Sequence, residues 1–133
     1  MLYDKEVYHF LFLHFPIALF ITGYIFHLLY NLSDKKEINN YITWTMGMGI
    51  LWSIISIVTG YIAAFELEYI QSFSNIFDKK HSFIMILSTF FFIILFILRS
   101  KDFNNKILFF FHSIAVSLII YGTHLGAKWA ERI

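Results

Sequence analysis

Four apolar runs, parted only by short polar links, decide what this chain can become. They cover residues 7–30, 41–65, 81–98 and 107–129, each close to the ~20 residues a helix needs to cross ~30 Å of hydrocarbon. None alternates polar and apolar residues as a barrel strand must. The links between them are short enough to set neighbouring helices antiparallel. The expected fold is an all-α integral membrane protein, an up-down-up-down bundle of four transmembrane helices with both termini on the same face, here face A. At 133 residues the chain forms a single four-helix domain.

Composition agrees: 59% of residues are hydrophobic and 14% charged, with seventeen Phe and one Pro. A net charge of +1 without a basic stripe gives nucleic acid no footing. The absence of Cys excludes disulfides, thiolate metal sites and covalent c-type haem on this chain. Met1 to Glu6 has no basic n-region, and no small-residue cleavage site follows the first run. That run is therefore expected to be a permanent span and not a signal peptide.

Basic residues do not orient the bundle. Lys5, Lys79, Lys80, Lys128 and Arg132 fall on face A, and Lys35, Lys36, Arg99, Lys101 and Lys106 on the opposite face B. Acids favour face A: Asp4, Glu6, Glu66, Glu68, Asp78 and Glu131, against Asp34, Glu37 and Asp102. This leans towards a cytoplasmic face B with both termini outside. Tyr3, Tyr8, Tyr30, Tyr41, Trp44 and Trp129 stand where interfacial aromatic belts belong. In the second run Gly49, Ser53, Ser56, Gly60 and Ala63 make a small-residue stripe, which either admits a neighbouring backbone or leaves room for a flat cofactor. Met46 and Met48 point to different sides of a helix, so a thioether copper site is not expected.

Six histidines sit in or beside the apolar runs, where ionisable groups are costly and mark functional sites. His9, His14, His81 and His124 lie towards face A, His27 and His112 towards face B. His14 and His27 are about 140° apart around their helix, whereas His9 and His27 are in phase but ~27 Å apart. Neutral imidazoles on several helices suit bis-His haem b, a three-histidine Zn, Cu or Fe site at His14, His81 and His124, or proton and quinol handling. The alternative for each histidine taken alone is an interhelical hydrogen bond, and for Glu66 and Glu68 a solvated membrane edge.

His14-Phe15-Pro16-Ile17-Ala18-Leu19 resembles the opening motif of the bacterial membrane family called domain of unknown function 2231. Thr59-Gly60-Tyr61-Ile62-Ala63-Ala64, Lys80-His81 and Gly122-Thr123-His124-Leu125-Gly126-Ala127 fit the same family in the same order. Ala127 replaces the second Gly of its final Gly-Gly pair, and the prolines upstream of His14 are missing. The resemblance implies a four-helix, multi-pass protein of the bacterial inner membrane. Some relatives are fused to c-type cytochrome domains, which favours a redox role. His14, His81 and His124 match motif positions; His9, His27 and His112 do not.

The expected function is a membrane cytochrome b-like subunit holding non-covalent haem b and relaying electrons between quinol and an outer-face partner. That partner would be a c-type cytochrome or other redox subunit, or the protein forms homo-oligomers. His14 and His81 are the expected axial ligands, with His124 replacing one or bonding nearby. One haem is expected, or two if His27 and His112 hold a second. The alternative is a small binding or assembly subunit whose histidines hold a metal ion or are purely structural.

Overall fold

The computed structural model describes residues 5–66, 68, 72 and 79–130, without the side chains of residues 5, 6, 129 and 130. Tyr3, Asp4, Asp78, Glu131, Arg132 and the side chains of Lys5, Glu6 and Trp129 lie outside the described residues. Four helices follow one another: α1 (Lys5–Ser33), α2 (Lys36–Glu66), α3 (Lys80–Ser100) and α4 (Asn105–Ala130). All four are long and apolar enough to span a membrane. Each extends past its apolar run into the polar links, because a helix satisfies its own backbone and need not end where hydrocarbon ends.

The two turns on face B are built from aspartates in the left-handed region, which their short polar side chains tolerate. Asp34 (φ 51°) ends α1 by donating its N–H to the Tyr30 carbonyl at 2.9 Å. Asp102 (φ 52°) ends α3 in a Schellman arrangement: Phe103 N–H donates to the Leu98 carbonyl, and Asp102 N–H to Arg99, both at 3.2 Å. Asn104 then caps α4, its Oδ1 accepting from the N–H groups of Lys106 (3.0 Å) and Ile107 (3.3 Å). Asn104→Ala should cost about 1 kcal/mol, read as a lower midpoint of denaturation in detergent.

The helices pack as two hairpins, α1 on α2 and α3 on α4, joined through α2 against α3 and α1 against α4. At the centre Phe20 and Phe92 stack face to face, their centroids 3.6 Å apart and their planes 5° from parallel. Gly49 makes this possible: a Cβ there would stand 2.6 Å from the Phe20 ring. Beside the stack the Ser53 hydroxyl donates to Thr89, whose own hydroxyl donates to the Met85 carbonyl. Ser88 donates to the Ala115 carbonyl of α4 at 3.2 Å. Most of α2's small-residue stripe is buried, and it serves close approach. Rings of α1 fill the space over it: Phe20 over Gly49, and His9 over Gly60. Large apolar side chains such as Leu11, Val58, Phe90 and Phe110 face outwards, as a lipid-facing surface requires. Trp44 is 72% exposed.

Candidate functional site

The histidines separate into two inward pairs and two outward singles. His14 is exposed, and its Nδ1–H donates to the Phe10 carbonyl of its own helix at 2.6 Å. His124 is exposed as well. The expected constellation of His14, His81 and His124 is therefore not assembled. Among the described residues no group of three or more His, Cys, Asp or Glu is placed to hold a metal ion. The cause is helical phase: His9 and His14 are five residues apart, about 140° around α1, so only one can face inwards.

The inward one is His9. Its Nδ1–H donates to the Ser56 carbonyl on α2 at 3.1 Å, and its ring lies over Gly60, where a Cβ would approach the ring carbon to 2.6 Å. His81 repeats this on the other hairpin. Its Nδ1–H donates to the Gly122 carbonyl on α4 at 2.7 Å, and its ring lies over Gly126, again 2.6 Å from a Cβ built there. In both pairs the accepting carbonyl lies four residues before the glycine, one turn along the same helix face. Each bond fixes the tautomer: with Nδ1 protonated, Nε2 of a neutral ring carries a bare lone pair. Among the described residues neither Nε2 has a hydrogen-bond partner. Both imidazoles lie near the start of their helices, α1 and α3. A ligating histidine has this outer-shell arrangement, with the second ring nitrogen donating to a fixed carbonyl.

At the face B end His27 and His112 are both 1% exposed and bonded to each other, Nδ1 to Nδ1, at 3.0 Å. The direction of the chain follows from its far end. Asn105 donates its amide to Asn31 Oδ1, so its own Oδ1 faces His27 and accepts from Nε2–H at 2.9 Å. His27 Nδ1 must then be the acceptor and His112 Nδ1–H the donor. His112 Nε2 is left as a bare nitrogen, buried and without a partner among the described residues. Rings of Tyr24, Phe92 and Phe109 stand against the pair at centroid distances of 5.1–5.6 Å. Tyr24 donates to the Ser113 hydroxyl at 3.0 Å, which itself donates to the Phe109 carbonyl.

Arg99 is not the loop charge its position suggested. It is 8% exposed, and its guanidinium donates to Asn39 Oδ1 while Nε–H is buried without a partner among the described residues. Sequence reasoning counted Arg99 only as a face B charge, passed over Asn39 and Asn105, and did not choose His9 as a ligand. The signal for all four was a spacing shared by the two hairpins. Glu66 and Glu68 are exposed.

No curated protein and no solved structure matches the chain. Residues 7–133 match the family model described as predicted membrane protein, domain of unknown function 2231. With nearly the whole four-helix chain matched, the protein belongs to that family of membrane proteins.

Proposed function

We propose that the protein is a membrane cytochrome b-like electron-transfer subunit in which His9 and His81 are the axial ligands of one non-covalent haem b. One observation carries this reading: two imidazoles on different hairpins, each oriented by a backbone carbonyl and seated on a glycine, each keeping a bare Nε2. The donor set fits haem better than a lone metal ion. A porphyrin brings four nitrogens of its own and needs two from the protein, whereas zinc needs three or four protein ligands. Bound haem b supplies one-electron exchange between ferric and ferrous iron.

The rest is the work of the chain. The carbonyls of Ser56 and Gly122 hold the imidazoles in one tautomer and raise their basicity. Gly60 and Gly126 let the rings lie against the neighbouring backbone. His27 and His112, bonded to each other at 3.0 Å, are engaged elsewhere, which favours one haem over two. Quinol as donor, a c-type cytochrome or other redox subunit as outer-face acceptor, and the bacterial inner membrane complete the reading.

An optical spectrum tests it. Protein purified from haem-replete cells should show sharp reduced α and Soret bands, release unmodified haem into pyridine, and contain one haem per chain. His9→Ala and His81→Ala should each lose the haem while membrane insertion is kept, and His14→Ala should retain it. A colourless preparation with stoichiometric zinc or copper would favour the metal-binding subunit instead. Haem lost in His14→Ala and kept in His9→Ala would move the ligand to the other side of α1.

A further inference from the structure

We infer that the chain is two copies of one helical hairpin, α1–α2 and α3–α4, and that His9 and His81 are equivalent halves of a single ligand site shared between them. The part concerning haem rests on the reading above; the repeat does not.

Two register shifts relate the copies. A shift of 72 residues carries α1 onto α3, taking His9 to His81, Phe20 to Phe92 and His27 to Arg99. A shift of 66 carries α2 onto α4, taking Asn39 to Asn105, Ser56 to Gly122 and Gly60 to Gly126. Only a few of the aligned residues are identical, so the sequence barely shows the repeat. The contacts show it. Under these shifts the seat of His9 on Ser56 and Gly60 becomes the seat of His81 on Gly122 and Gly126. The bond from His27 to Asn105, between α1 and α4, becomes the bond from Arg99 to Asn39, between α3 and α2. Tyr24 reaching Ser113 becomes Phe96 lying over Gly47, where a Cβ would stand 3.2 Å from its ring. The first contact lies within each hairpin and the other two lie between hairpins. Unrelated helices would not reproduce all three from two shifts.

The difference of six between the shifts falls in one place. His27 and Asn39 are twelve residues apart, Arg99 and Asn105 six, so the extra residues all lie around the first turn on face B. Phe20 and Phe92, images of each other, stack face to face, as residues beside a pseudo-two-fold axis must. Two parallel copies related by an axis along the membrane normal place shared sites at their interface. A group held by His9 and His81 therefore meets two like nitrogens from opposite sides. That suits a haem with two equal axial ligands, and not a tetrahedral ion.

Two measurements on the full-length protein test this. The chain has no Cys, so introduced thiols are the only ones. Tyr24→Cys with Ser113→Cys, and separately Phe96→Cys with Gly47→Cys, should both cross-link in membranes with a short thiol-specific reagent. Only one pair cross-linking would overturn the repeat. Haem b titrated into protein from haem-deficient cells should lose tight binding to the same extent in His9→Ala and His81→Ala. Free imidazole should restore the low-spin spectrum in both variants. Gly60→Ala and Gly126→Ala should each change the haem's low-temperature EPR signature in the same direction. If one histidine proves dispensable while the other is required, the shared site is overturned even though haem is present. If wild-type protein takes up no haem yet both cysteine pairs cross-link, the haem reading fails and the repeat is upheld.

Discussion

Gly49→Leu is expected to destabilise the bundle by about 1–3 kcal/mol or more, the usual range for overpacking a filled core. The new Cβ alone would stand 2.6 Å from the Phe20 ring. That ring is 1% exposed and lies against Phe92 at 3.6 Å, so it cannot withdraw without breaking the stack. Gly23→Ala is the control. Its Cβ would meet Thr45 Oγ1 at 2.8 Å, but a turn about χ1 of this short, half-buried side chain takes that atom away at the cost of its bonds to the Tyr41 and Ile42 carbonyls. Reversible denaturation in mixed detergent micelles should show a large shift for the first variant and a small one for the second. Equal shifts would mean that the Phe20–Phe92 contact does not govern the centre.

The second large effect is a failure of additivity. His27→Leu strands two groups, the His112 Nδ1–H and Asn105 Oδ1, whereas His112→Leu strands only His27 Nδ1. Removing one partner of a buried bond costs more than removing both, because the remaining polar group is left desolvated. The double variant should therefore lose less stability than the two singles together. Interhelical bonds in membranes couple by about 0.6 kcal/mol on average and up to about 1.7, and this fully buried pair should lie near the upper end. A double-mutant cycle on the same denaturation assay measures it. Coupling near zero would mean that the two imidazoles find other partners when separated.

The spans were legible because charge stops where hydrocarbon begins, and the structure lengthens them only at their polar ends. Which side of each helix faces inwards was not. In a soluble bundle an apolar stripe marks the core, but lipid is as apolar as leucine, so Phe10, Leu11 and Phe15 read no differently from Phe20. His14 drew attention for the motif around it, while inward His9 lies among equally apolar neighbours. The in-phase spacing of His9 with His27 did carry the answer, since both face inwards. Arg99 was counted as a face B charge because it directly follows the third apolar run; only its bond to Asn39 on α2 reveals it as an interior group.

The stacked phenylalanines also act as a barrier. They lie about 16 Å along α1 from His9 and about 10 Å from His27, between the two polar ends. Gly49, Met46, Leu95 and Ala115, all buried, close the layer around them. The hydroxyls of Ser53, Thr89 and Ser88 next to it are already committed to partners. A close-packed apolar layer therefore stands between His9 and His81 at one end and the His27–His112 chain at the other. A path for water or protons from one end of the bundle to the other would have to open this layer.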